Sequence, residues 1–279
     1  MAHAPSPQSS PVSAADLACL DGHIAAATET SISVMDEGFL RGDGVFEVVR
    51  VYSGEPFALG EHLDRMERSA ENLRLGYEVP RAEIERETAE LLEARGGQGF
   101  DGCLRLVLTR GGRRLLITEP MPGGRGSSIR LGFVTYAPSR ILDGIKSLSY
   151  AGNMLATRLA RERGFDEALL VTPHGRVLEA PTSSFFWVAP NGELCTPPLD
   201  EHILASITRD RLLKLLDVEQ RVATSEDVLE AREAFIASTT REVQPVSAIE
   251  DREFGEPGER TRDAAARFNA QLEREIGGS

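Results

Sequence analysis

The chain has 279 residues, 41% hydrophobic and 27% charged, with a formal net charge of −13 at pH 7. That length suits one large domain or two modest ones. The acidic balance excludes the broad basic surface a nucleic-acid partner needs, though not a local positive pocket for a small anion.

Residues 1–15 have neither the positive start nor the apolar stretch of a secretory signal, and their Pro and Ser content predicts a disordered tail. GVFEVVRVYSGEPFAL then reads as two strands about a Ser53–Gly54 turn. In EHLDRMERSAENLRLGYEVP, Leu63, Met66, Ala70 and Leu73 recur at helical spacing and Pro80 closes the segment. PRAEIERETAELLEARGG opens on proline and ends on paired glycines, the mark of a second helix, and CLRLVLTR alternates like a strand. These segments predict a small N-terminal α+β domain over 16–116. ITEPMPGGRGSS, 117–128, lacks any period and is expected to be an interdomain loop.

From 129 to 279 a larger mixed domain is expected. It opens with strand IRLGFVTY and a helix NMLATRLARERG capped by Gly164. Hairpins follow about Pro173–Gly175 and Asn191–Gly192, then helices near 205–217 and 225–233. Strand AFIAST, a polar segment and a terminal helix near 260–276 complete it. The fold class is therefore α+β, with a barrel-like mixed sheet in the second half.

Cys19, Cys103 and Cys195 are odd in number and widely spaced, so they form neither a disulfide framework nor a zinc site. Reduced thiols and a cytoplasmic location are expected. No apolar run approaches the ~20 residues of a membrane span. RGDGVFE lacks the G-x-G-x-x-G spacing of a dinucleotide site, and TRGGRR is too short for a nucleic-acid patch. His62 with Glu61 and Asp64 does not put two metal ligands on one helical face, so no metal is expected.

Of the 31 basic side chains only Lys146 and Lys214 are lysines. A primary amine condenses with an aldehyde or ketone, which a guanidinium cannot do. Lys214 lies in the helical stretch RDRLLKLLD, where a long cation snorkels to solvent. Lys146 lies in DGIKSLSY, outside any helical period. On composition alone it reads as a surface loop lysine; the residues that follow it change that reading.

KSLSYAGNMLATRLARERGFDEALLVTPHGRVLEAPTSSFFWV resembles the class IV aminotransferases, the fold-type IV pyridoxal-phosphate enzymes. MDEGFLRGDGVFEVVRVYSGEPFALGEHLDRMERSAENL resembles that family's N-terminal signature, and ILASITRDRLL and AFIASTTREVQPV its two phosphate loops. The resemblance runs from about residue 20 to 255. It implies a small α/β sandwich followed by a larger barrel-like domain, and pyridoxal 5′-phosphate as cofactor.

By the same resemblance Lys146 forms the Schiff base with the cofactor and moves the substrate α-proton. Glu179 pairs with the pyridinium nitrogen, and Arg65 binds the phosphate. Ile207 and Thr208, at a helix N-terminus, and Ser238 and Thr239 complete the phosphate cradle. Tyr150 reaches the cofactor's phenolic oxygen. Phe46, Arg113, Arg114, Thr240 and Arg241 are placed on the substrate's side.

The implied activity is transamination between an amino acid, with branched-chain or other aliphatic side chains favoured, and an α-keto acid, by ping-pong kinetics in a homodimer. Three alternatives stay open: an aminodeoxychorismate lyase, a D-amino-acid or R-selective amine transaminase, and a cofactor-binding protein without turnover. Lyases of the family commonly carry threonine where this chain has Glu47 or Val48. D-amino-acid members place an arginine and a histidine after the TRG strand, where this chain has Arg113 and Arg114 without a histidine.

Overall fold

Short apolar runs separated by turn residues give the first part of the chain its antiparallel sheet. The computed structural model describes residues 16–123 and 126–277, so the tail expected at 1–15 lies outside the described residues. The chain divides into two units, residues 1–123 and 124–279.

In the first unit, β1 (Leu17–Leu20) and β2 (His23–Ala26) form a hairpin that sequence reading did not single out. A short helix, α1 (Glu37–Arg41), carries Asp36 as its N-cap, the Asp36 carboxylate accepting from Gly38 N at 2.8 Å. β3 (Gly44–Tyr52) and β4 (Glu55–Pro56) then meet across Ser53 and Gly54, whose φ angles of 47° and 85° make the tight turn expected there.

Helices α2 (Leu59–Asn72) and α3 (Arg81–Arg95) precede β5 (Gly102–Thr109) and β6 (Arg114–Glu119). The strands run in the order β2-β1-β6-β5-β3-β4, all neighbours antiparallel. Leu63, Met66 and Ala70 of α2 and Ile84, Leu91 and Leu92 of α3 are buried, and both helices pack on the sheet. β6 continues to Glu119, so residues 117–119 of the expected interdomain loop are strand. Pairing with β5 and β1 on both sides supplies the order that its short apolar pattern did not announce.

The second unit holds β7 (Ile129–Thr135), α4 (Ala151–Glu162), β8 (Glu167–Val171), β9 (Ser184–Val188) and β10 (Leu194–Thr196). After them come α5 (Ile207–Leu215), β11 (Glu219–Gln220), α6 (Ser225–Leu229), β12 (Glu233–Ser238), β13 (Glu242–Ile249), β14 (Arg252–Glu253) and α7 (Glu259–Ile276). The sheet order is β11-β10-β9-β12-β13-β7-β8, with β14 on β13. The β13–β7, β7–β8 and β10–β11 pairs are parallel and the others antiparallel, giving the mixed half-barrel sheet.

Every residue of β8 is buried because the sheet is covered on both faces. Leu169 and Val171 join a core with Phe185, Trp187 and Ile236, while Ala168 and Leu170 pack with Ala156 and Ala160 of α4. Phe186 and Phe235 stack at 4.8 Å with 9° between their planes.

The segment after β12, expected only as a polar segment, is strand β13 in the middle of the sheet. Pro245 obscured it, since proline cannot donate to a ladder. Pairing with β7 starts only at Val246, one residue beyond it. Among the described residues no helix is long and apolar enough to cross a membrane.

Candidate active site

Lys146 sits on an irregular stretch between β7 and α4, half-buried, its Nζ 5.6 Å from the centre of the Tyr150 ring. Tyr150 is the N-cap residue of α4. Its hydroxyl donates to the carbonyl of Pro181 at 2.6 Å, and Asn153 Nδ2 donates to the same oxygen at 2.8 Å. Pro181 lies two residues beyond Glu179. The start of α4, with the tyrosine that the lysine approaches, is thus tied to the segment that follows the acid.

Glu179 is on the return arm of the hairpin off β8: Leu178 N donates to Leu170 O and Leu170 N to Glu179 O, both at 2.9 Å. Its Oε1 accepts the backbone N–H of Leu204 at 3.0 Å, which ties the acid to the loop leading into α5. The Tyr136 phenol is pushed up by burial and then by the charge of Glu179. Arg209, 3% exposed, is pulled down by burial while Glu179 opposes that shift. Its Nη2 donates to Pro197 O at 2.9 Å and Gln220 Oε1 at 2.8 Å, so the guanidinium is fixed on the far side of α5 from solvent.

Ser206 caps α5, its Oγ accepting Arg209 N at 3.3 Å, and places buried Ile207 and Thr208 in the first turn. The N–H groups of a first turn have no partner within the helix and favour an anion. Ser238 closes β12, the strand against which α5 packs; its Oγ accepts Arg241 N at 3.3 Å across a turn holding half-buried Thr239 and Thr240. Arg241 Nη2 donates to Glu167 at 3.0 Å and Nη1 to Gln244 at 2.6 Å.

In the first unit, Arg65 is 6% exposed on α2, not on its solvated face. Nε and Nη2 grip the two oxygens of Glu47 at 2.7 and 2.6 Å, and His62 Nδ1 lies 2.8 Å from Glu47 Oε2. Burial alone would raise the Glu47 carboxyl, but Arg65 and His62 outweigh it and hold it at about 2. Phe46 is buried on β3. Arg113 pairs with Asp21 at 2.7 Å on the surface, and Arg114 Nε donates to fully buried Glu87 at 2.6 Å.

Glu47, Glu167, Arg209, the Leu204 N–H and the Pro181 carbonyl were not picked out as partners in the sequence. Glu47 did leave a signal: a carboxylate in the middle of the apolar run VFEVVRV must have a buried cation. Ser183 and Ser184 left none. Both are buried just past Glu179, with hydroxyls that have no hydrogen-bond partner.

This donor set suits pyridoxal phosphate. An amine approaches a tyrosine that is tied to the segment after an acid, a helix N-terminus follows the loop that holds the acid, and Ser183 and Ser184 of that segment carry buried hydroxyls. Among the described residues no cluster of His, Cys, Asp and Glu could hold a metal ion.

Comparison with known proteins agrees. The chain is 34% identical to a putative branched-chain-amino-acid aminotransferase of Methanocaldococcus jannaschii, covering 89% of this chain and 94% of that one. It is 31% identical to a D-alanine aminotransferase of Bacillus licheniformis, covering 87% and 92%. Among solved structures, the branched-chain aminotransferase of Thermoproteus uzoniensis with norvaline superposes with a TM-score of 0.82 at 27% identity, over 91% and 93% of the chains. The fold IV-transaminase CpuTA1 of Curtobacterium pusillum gives 0.81 at 28% identity, over 91% and 99%. Residues 44–249 match the model of amino-transferase class IV, and the chain belongs to that family of pyridoxal-phosphate-dependent aminotransferases.

Proposed function

We propose that this aminotransferase moves the amino group of an aliphatic or branched-chain amino acid to an α-keto acid by a ping-pong mechanism. The observations that carry the reading are Lys146 Nζ at the Tyr150 ring, Tyr150 on the Pro181 carbonyl two residues past Glu179, and Glu179 on the Leu204 N–H. When bound, pyridoxal phosphate supplies an aldehyde that exchanges amines and a ring that accepts electrons from the substrate α-carbon.

Lys146 would hold the cofactor covalently, and its amine would take up and return the substrate α-proton. Glu179, aimed by the Leu204 N–H, keeps the ring nitrogen protonated. Tyr150, held by Pro181, would be the side chain on the side of the phenolic oxygen. Ile207, Thr208, Ser238 and Thr239 receive the phosphate, and the resemblance assigns Arg65 to the same group. The backbone N–H groups of the turn at Thr240 and Arg241 receive the substrate carboxylate, with Phe46 as a further candidate on the substrate's side, while Arg113 and Arg114 are engaged by Asp21 and Glu87.

A donor panel of L- and D-amino acids and a chiral aryl-alkyl amine tests the reading at the cofactor's absorbance. An L-branched-chain acid alone should convert the bound cofactor to its pyridoxamine form, and an α-keto acid should restore the starting spectrum. The D-alanine aminotransferase relatives favour a second reading, which wins if only D-amino acids act. Pyruvate released from aminodeoxychorismate without an acceptor would mark a lyase instead. A spectrum that no donor perturbs would leave cofactor binding without turnover.

A homodimer belongs to the same reading. Val34, Met35 and Phe39 expose 69%, 73% and 66% of their surface, an apolar patch that a second copy would cover. A sedimentation mass of twice 30.4 kDa is expected, and a monomer at micromolar concentration would reject it. Cytoplasmic residence accords with three cysteines that are all free and buried.

A further inference from the structure

Glu167 is a carboxylate that none of the chemistry above uses. It opens β8 and is 3% exposed. It accepts from Thr157 Oγ1 at 2.5 Å, from the N–H of Ala168 at 3.0 Å and from Arg241 Nη2 at 3.0 Å. Arg241 in turn reaches Gln244 Oε1 at 2.6 Å, and Gln244 Nε2 donates to Ser127 O at 3.0 Å. Thr157 lies on α4, the helix whose N-cap is Tyr150, four residues after Lys146. One buried carboxylate therefore grips both the helix leading away from the lysine and the turn between β12 and β13.

Such a pair is poor evidence for stability, because removing both charges from water costs about as much as their attraction returns. What it does supply is a fixed geometry. The turn at 239–241 joins Ser238 and Glu242, which pair across β12 and β13; within it Arg241 N makes a 3.3 Å contact to Ser238 Oγ, and Glu242 takes a positive φ of 56°, which a free chain would leave. A turn that must present its N–H groups to an anion gains affinity when it is ordered beforehand.

We propose that Glu167 and Arg241 form a positioning pair: Arg241 does not contact substrate but pins the Thr239–Thr240–Arg241 turn, so that the carboxylate shared by all the enzyme's substrates meets an ordered set of N–H donors. The pair rests on the reading of this turn as the carboxylate site. It makes Arg241 indifferent to the substrate's side chain.

The test uses the holoenzyme with Arg241→Met, Glu167→Gln and the double variant. Each single variant raises KM for the amino donor and for both a monocarboxylic and a dicarboxylic keto acid by the same factor, on the order of tenfold, with kcat little changed. The double variant is no worse than the worse single, because both release one turn. Amide hydrogen exchange quickens in peptides covering 238–242 and not elsewhere, and Arg241→Lys recovers part of the KM.

A KM effect confined to the dicarboxylic acid would overturn the proposal, since Arg241 would then leave Glu167 to bind a second carboxylate. Unchanged KM values, additive effects in the double variant, or exchange that quickens across the whole unit would overturn it too. So would failure of both the Met and Lys variants to fold, which would make the pair part of the core. If the wild-type protein shows no cofactor absorbance, the reading of the site fails rather than this pair.

Discussion

Arg65 and Glu47 meet in a two-pronged pair, Nε to Oε1 at 2.7 Å and Nη2 to Oε2 at 2.6 Å, with no part of Glu47 reaching solvent. A helix residue and a strand residue are thereby locked in one orientation, with His62 closing the third side. The guanidinium proposed for the phosphate is held by a buried acid from the sheet beneath it, not left on a long free side chain.

That acid sets a pH dependence. The Glu47 carboxyl is lowered from 4.5 to about 2, so its contribution to stability is fully present above about pH 4.5 and is lost as the pH falls through about 2. Glu47→Gln should cost about 3 kcal/mol at pH 7, the cost of leaving a buried cation without its counter-charge. Urea titrations should show the gap between wild type and variant narrowing below pH 4. A constant gap from pH 7 to pH 2 would show that the pair does not titrate in this way.

Lys146→Ala should abolish borohydride trapping of the cofactor and the absorbance of the covalently held form. The residue is half-buried on an irregular stretch, so folding stability should change by less than about 1 kcal/mol. Circular dichroism separates the two effects. Retention of a trapped cofactor at another residue would remove Lys146 from its role.

Glu179→Gln keeps an oxygen to accept the Leu204 N–H, so the loop into α5 stays in place. A neutral amide does not hold the ring nitrogen protonated. Turnover should fall by a factor of about 10² or more while the cofactor remains bound. Glu179→Ala should in addition weaken cofactor binding, because the Leu204 donor is then left unpaired. Equal activity of Gln and wild type would refute the electronic role.

Arg113 and Arg114 separate by burial. Arg114→Ala leaves Glu87, which exposes nothing, with only the more distant Arg86 at 3.6 Å and should cost about 3 kcal/mol with KM unaltered. Arg113 faces solvent with Asp21, and Arg113→Ala should leave the melting temperature unchanged. A raised KM in either variant would return that residue to the substrate's side.

The family and its cofactor were legible, and with them the candidate amine and acid, because reactive groups sit in short, characteristic runs. Lys146 stood out as one of two amines in an arginine-rich chain, and Glu179 by its place in RVLEAP. Turn signals were equally readable: Ser53–Gly54 and Asn191–Gly192 turn where their small residues allow positive φ or a tight bend. β6 and β13 were not legible. Their order comes from neighbours on both sides, and in β13 a proline masked the pattern. Arg65 illustrates the same limit in a helix, where local spacing puts it on an amphipathic surface and only the sheet beneath reveals it as buried.

By itself the sequence determined the family and the cofactor and singled out a candidate amine and a candidate acid, because covalent chemistry depends on residue type and a family's spacing survives in the linear order. The tertiary structure alone decided which groups hold those residues in place: Leu204 for Glu179, Pro181 for Tyr150, Glu47 for Arg65, Glu167 for Arg241. These partners are separated by up to 74 positions along the chain. Hydrogen bonds and ion pairs act over a few ångströms of space, and only folding determines which distant residues come within that reach.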